Sequence, residues 1–194
     1  LADSDLIIGG FCRFENSLFY FYDNKIFGTA PITIVEKEFA INQMDEMIDA
    51  PFLCFSTACG KLYKRSLFES IRFPFKKYAE DQFIMWKLYL ASKVIVRYQS
   101  DVYAYRVNYK GLTQNYSLSH LDFIEAIEER IKTLMEMSGL DYPMELAFNQ
   151  YKFALKRNLS MLEGTEFIQE EAAVREKLEH AENGDYLFLK NKRE

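Results

Sequence analysis

The spacing of hydrophobic positions changes along the chain. Residues 5–14 (DLIIGGFCRF) and 18–22 (LFYFY) are short runs of aliphatic and aromatic residues, which predict strands. Residues 32–36 (ITIVE) predict a third. From 37 to 49 the period lengthens to that of a helix: Phe39, Met44, Met47 and Ile48 roughly share a face, and Pro51 closes it. Residues 64–70 suit a short helix. Residues 80–91 (EDQFIMWKLYLA) predict a longer one, with Glu80 and Asp81 in its first turn, where the macrodipole favours carboxylates. Residues 93–98 and 101–107 predict two strands separated by a tight turn. Helices are predicted beyond that. One covers 119–137, opened by Ser119 and Asp122 at capping-box spacing and ended by Gly139; others cover 143–163 and 166–182.

Charge divides the chain. Residues 60–115 hold eleven Lys and Arg against four Asp and Glu, a net +7 window in a chain of net charge −5. Residues 118–194 are rich in Glu. The shift predicts two parts, 1–116 and 117–194. The overall acidity argues against a nucleic-acid partner. No run approaches the ~20 apolar residues of a membrane span. Cys12, Cys54 and Cys59 are odd in number and widely spaced, which suits buried thiols in a reducing compartment. With only His120 and His180 beside them, no zinc or histidine-rich site is expected. Both histidines lie in helical, Glu-rich settings and are expected at the surface.

Two segments could carry chemistry. In the first, Glu80 and Asp81 open an apolar helix a few residues after a basic loop. Such a pair can act as a general base, but standing alone it reads first as a helix cap. In the second, Tyr105 and Arg106 end a strand, followed by Lys110, Gly111 and Thr113. Arg and Lys beside a glycine turn suit phosphate oxygens, and they also suit a solvated strand edge.

Taken in order, these segments resemble a known family. The run comprises Ala58-Cys59-Gly60-Lys61-Leu62-Tyr63-Lys64-Arg65, Leu67-Phe68 and Ile71-Arg72-Phe73-Pro74. Glu80-Asp81, Val102-Tyr103-Ala104-Tyr105-Arg106 and Gly111-Leu112-Thr113 complete it. It is similar to the acceptor-side half of family 2 glycosyltransferases of the bacterial polysaccharide type, and Asp5–Phe11 resembles the strand that precedes that half. The likeness covers about residues 1–115. It departs at Gly60, where the family has Asn, and at Asn108, where a second Arg is common.

The resemblance implies an α/β fold: a partial GT-A, Rossmann-like domain followed by a C-terminal helical region. It implies inverting transfer from a nucleotide-sugar donor to a glycan or lipid-linked acceptor in cell-surface polysaccharide synthesis. Asp81 matches the aspartate that serves as base, with Glu80 beside it. Lys61, Tyr105, Arg106, Lys110 and Thr113 are the implied substrate-binding residues. A divalent metal, Mg or Mn, is implied for a complete enzyme, with its main ligands outside this chain. The implied location is cytoplasmic or peripheral at the inner face of the membrane.

Asp3-Ser4-Asp5 mimics a metal-binding D-x-D, but it precedes a strand where the family's aspartates follow one. A turn with solvated carboxylates is expected there. The likeness starts partway through the family domain, so Leu1 is expected to be a cut and the chain alone to lack transferase activity. Two other readings stand beside this one: a non-catalytic glycan- or protein-binding module derived from a transferase, and homo-oligomerisation through the C-terminal helices.

Overall fold

Leu6–Glu15 forms β1, the strand around which the first part of the chain is organised. The structure is a computed structural model that describes residues 3–16, 18–20, 31–46, 53–109, 111, 115–138 and 142–191. The chain divides into two compact units. One comprises Leu1–Phe75 with Glu80–Asn115, and the other Lys76–Ala79 with Tyr116–Glu194.

The first unit holds a mixed sheet of β1, β2 (Leu18–Tyr20), β3 (Ile32–Val35), β4 (Lys61–Tyr63) and β5 (Ile95–Arg106). β1 runs parallel to β5 and antiparallel to both β2 and β4; β3 runs antiparallel to β5. A parallel pair needs a long crossover. Here it carries α1 (Lys37–Asp45), α2 (Leu53–Ser56) and α3 (Glu80–Ala91). Leu6 and Ile8 of β1 and Ile95 and Val96 of β5 are buried, as are Ala40, Ile41 and Met44 of α1. α3 buries Phe83, Ile84, Met85, Trp86, Leu88 and Tyr89, so it is a core helix, apolar on nearly all sides. The fold is mixed α/β.

Several expectations need correction. The two strands over 93–98 and 101–107 are one strand, β5. Its register against β1 shifts between the Ile8 and Gly10 pairs, so Tyr98–Ser100 form an irregularity within a strand, where a turn was expected. α1 buries Ala40, Ile41 and Met44, whereas Phe39 is half-exposed with its ring edge-on to Phe55. Residues 21–22 and 47–49 of the expected strand and helix lie outside the described residues. Residues 64–70 give only a 3-10 turn, Arg65–Phe68. α2 and β4, at four and three residues, are too short to leave a periodic trace.

The expected solvated turn at Asp3-Ser4-Asp5 is also corrected. Asp3 is exposed, but Asp5 is buried. One carboxylate oxygen accepts from the Lys64 ammonium at 3.0 Å, and the other from the Lys93 and Val94 N–H groups at 2.7 and 3.2 Å. The Lys64 bond and then the Lys93 N–H hold the Asp5 pKa below the usual carboxylate range. Asp5 thus ties the start of β1 to the chain entering β5. Asp5→Ala is expected to cost about 2 kcal/mol in urea denaturation at pH 7, because it strands two backbone donors. The wild-type contribution is complete above the unfolded aspartate value and is lost as pH falls through the lowered folded one, so the difference between the two proteins should shrink in acid.

The second unit packs α4 (Leu121–Glu136), α5 (Met144–Leu162), α6 (Ile168–Glu182) and α7 (Phe188–Asn191) around Ile127, Ile131, Tyr151, Leu155, Val174 and Leu189. Arg130 is fully buried and donates to Gln150. Tyr151 donates to Glu128 at 2.6 Å, and Lys177 pairs with the same carboxylate at 2.7 Å. The capping box joins Ser117 and His120 around a 3-10 turn, Leu118–His120; Ser119 and Asp122 do not form it. Asp122 instead accepts from Lys77 at 3.0 Å and from the Tyr78 N–H at 2.9 Å. His120 is not a surface residue. Its ring is buried beside those of Tyr78 and Tyr116, with centroids 4.2 and 5.1 Å away. His180 is half-exposed and contacts Asp185 at 2.8 Å. Among the described residues no helix is long and apolar enough to cross a membrane.

Candidate active site

The turn between α2 and β4, Thr57–Gly60, lies at the centre of the sequence-predicted site. Its oxygens, and those of the helix before it, are taken up by the protein's own donors. The Lys61 ammonium donates to the carbonyls of Cys54 and Thr57. The Tyr89 hydroxyl donates to the Phe55 carbonyl at 2.6 Å, and the Tyr63 hydroxyl to the Ala58 carbonyl at 2.7 Å. The Gly60 carbonyl accepts from the Gly9 N–H at 2.9 Å. A short loop with its acceptors fixed in this way has few alternative conformations, which is the requirement for a preorganised site.

Against this turn stands Asp81, in the first turn of α3, close enough for the Ala58 N–H to weigh on its proton affinity. Burial raises the Asp81 pKa from 3.8 to about 6. The Ala58 N–H and the Lys61 charge work against that rise, and Glu80 adds to it. Lys61 is displaced in the opposite direction, down to about 8, chiefly by burial. The electrostatic influence of Cys54, Cys59 and Asp81 opposes the fall, and that of Arg97 adds to it. Glu80 is exposed. The buried Arg97 guanidinium sits 5.8 Å from the centre of the Phe55 ring. The arrangement supplies a carboxylate that is ionised at neutral pH yet more basic than a solvated one, as a general base should be.

Gly60 has φ +68°, in the left-handed region. Gly adopts it freely, and among other residues Asn enters it most easily. The backbone therefore accounts for the departure noted in the sequence, since Gly and Asn satisfy the same conformation. Gly60→Asn is expected to change stability by less than about 1 kcal/mol, and Gly60→Val to cost about 2 kcal/mol or more. Urea denaturation of the two variants provides the check.

The turn reaches β5. A Cβ on Gly60 would lie 3.4 Å from the Tyr103 Cβ. Tyr105 is two residues on and on the same face as Tyr103; its ring tilts against Phe11 at 6.3 Å. Arg106 points to the opposite face, with its guanidinium over the Phe14 ring at 5.2 Å. Strand alternation thus separates Tyr105 from Arg106. Lys110 and Thr113 lie outside the described residues. Lys61, expected to face substrate, instead places its ammonium on backbone carbonyls.

Sequence reasoning missed Tyr63, Tyr89 and Gly9. A tyrosine in an otherwise apolar helix was the available clue, because a buried phenol needs a hydrogen-bond partner. Among the described residues no group of three His, Cys, Asp or Glu could hold a metal ion, and the oxygens of Asp5 are already engaged. The described residues therefore do not fit the divalent ion implied for a complete enzyme.

No protein-family model matches the chain. It is similar to the curated protein Glycosyltransferase GlyA of Streptococcus pneumoniae serotype 4, with 28% identity over 166 residues. The match takes in 81% of this chain and 22% of that protein, so the chain spans about a fifth of the length of the relative it matches.

Proposed function

We propose that this chain carries the acid–base side of a glycosyltransferase with a GT-A fold of the family 2 type. It would transfer a sugar from a nucleotide-sugar donor to a glycan or lipid-linked acceptor in cell-surface polysaccharide synthesis. The observation that carries the reading is the Asp81 carboxylate: half-buried in the first turn of α3 beside the Thr57–Gly60 turn, and basic enough at about 6 to take a hydroxyl proton. The likeness to a curated glycosyltransferase over most of the chain supports it.

In this reading the acceptor hydroxyl hydrogen-bonds to Asp81. Its proton passes to the carboxylate as its oxygen bonds to the anomeric carbon of the donor sugar. The bond from that carbon to the diphosphate breaks on the opposite face, the pair of electrons leaves with the nucleoside diphosphate, and the configuration inverts. Glu80 raises the proton affinity of its neighbour. Tyr105 offers an aromatic face to a sugar ring, on the strand face it shares with Tyr103. Arg106, if it meets substrate, does so from the other face.

The complete protein, incubated with a panel of uridine, guanosine and thymidine diphosphate sugars, tests this. Release of nucleoside diphosphate that disappears in Asp81→Asn is the expected result. Release at the wild-type rate in that variant would exclude Asp81 as the base.

A further inference from the structure

Lys61, Leu62 and Tyr63 of β4 alternate across the strand. Leu62 is exposed, whereas Lys61 and Tyr63 both reach back to the preceding backbone, the ammonium to Cys54 and Thr57 and the phenol to Ala58. Tyr63 does more than donate to the turn. Its hydroxyl oxygen also lies 3.5 Å from the Met85 sulfur in α3. A phenol carries one hydrogen. The 2.7 Å contact with the Ala58 carbonyl takes it, so the sulfur of the fully buried Met85 packs against the hydroxyl oxygen. Met85 stands four residues after Asp81, one turn along the same helix face. The Tyr63 ring is itself set edge-on to Phe68, with centroids 5.5 Å apart. One rigid side chain therefore touches the turn on one side and the Asp81 face of α3 on the other.

We propose that Tyr63 is a positioning residue: its hydroxyl, bonded to the Ala58 carbonyl and packed on Met85, sets the separation between the Thr57–Gly60 turn and the face of α3 that carries Asp81. The claim is geometric, and its bearing on sugar transfer rests on the reading of Asp81 as the base. A strut between the two elements keeps water out of the gap, in agreement with the burial that raises Asp81 to about 6. The phenol is pushed away from ionisation by burial first, then by the charges of Asp81 and Cys59. Glu80 and Lys61 act on Asp81, and Tyr89 feels both Tyr63 and Asp81. Phe at position 63 would preserve the ring and its packing on Phe68 and remove the atom that joins turn to helix.

The test follows the Tyr63 hydroxyl proton and the Asp81 carboxyl carbon by NMR in the intact chain. In the wild type the hydroxyl proton should exchange slowly and show a nuclear Overhauser contact with the Met85 methyl group. A hydroxyl proton that exchanges as in free tyrosine, with no contact to Met85, would overturn the proposal without any variant. In Tyr63→Phe the Asp81 midpoint should fall from about 6 by about half a unit or more, as the turn separates from α3 and water enters. A midpoint that stays or rises would also overturn it. Tyr89→Phe is the control. It likewise strips a hydroxyl from a carbonyl, that of Phe55, and should lose stability, while the Asp81 midpoint moves less than about half as far. Equal movement in the two variants would make Tyr63 a stabilising residue and refute the positioning role. Should Tyr63→Phe fail to fold, the wild-type hydroxyl measurement still decides. Sugar transfer retained in Asp81→Asn would remove the base while leaving the Tyr63 measurements unchanged, so the two ideas fail separately.

Discussion

Asp81→Asn is expected to lower sugar transfer by the complete protein about 10²–10⁴-fold, the usual contribution of a general base, while making this chain more stable at pH 7.5. The two effects have one cause. Burial raises the Asp81 pKa from 3.8 to about 6, so the native state binds that proton more tightly than the unfolded chain does. A group raised in this way contributes fully below its unfolded value, and the contribution is lost as pH rises through the folded one. Each pKa unit is worth about 1.4 kcal/mol, so the ionised carboxylate costs the fold about 2–3 kcal/mol above pH 7. Asn is neutral at every pH and matches Asp in size and shape. The variant should therefore gain about 2 kcal/mol at pH 7.5 and almost nothing at pH 4, where the wild-type carboxyl is largely protonated. Urea denaturation at the two pH values measures the gain. Equal stability of the two proteins at pH 7.5 would mean that the carboxylate is well solvated, and the argument for a basic Asp81 would fail with it.

The largest structural effect is expected at Gly9. It donates to the Gly60 carbonyl, and a Cβ there would lie 3.0 Å from that oxygen and 2.3 Å from the Val102 Cγ2. Val102 is half-exposed and can give way, but the Gly60 oxygen is backbone within the turn beside Asp81. Gly9→Val is expected to cost about 3 kcal/mol or more, and Gly9→Ala about 2, because overpacking here separates β1 from β5 or displaces the turn. Combining Gly9→Ala with Val102→Ala should recover about 1 kcal/mol and leave the clash with the Gly60 oxygen. A double-mutant cycle in urea reads that coupling, and strict additivity would show that the two positions do not meet.

How much of this was legible beforehand follows from the range of the interactions. β1, α3, α5 and α6 could be read because long apolar runs and their bounding residues are local. The turn at Thr57–Gly60 could not, because its donors come from Lys61, Tyr63, Tyr89 and Gly9, scattered over the sequence and joined only by folding. Asp81 is marked by its type and its place at a helix start, but its burial is not visible in the sequence. His120 was misplaced for a similar reason: Tyr78 lies far upstream, and nothing in the local Glu-rich context announces an aromatic partner. The break expected at Gln99-Ser100 followed from polar residues that in fact sit within a continuous irregular strand. The charge of Lys61 can be read from sequence, whereas the two carbonyls its ammonium meets, those of Cys54 and Thr57, cannot.

The second unit is not encoded by one contiguous stretch. Lys76–Ala79 belongs to it, and Lys77 and Tyr78 supply partners for Asp122, Glu125 and His120, although these four residues are spelled in the middle of the first unit. Recombination with a breakpoint near 116 would therefore deliver a helical segment without part of its own binding partner. The helical segment and residues 76–79 therefore form one unit from two separate stretches of the sequence. A chimera carrying a foreign segment from 116 onward is expected to be more stable when it also imports matching residues at 76–79, which thermal denaturation of the two chimeras would show.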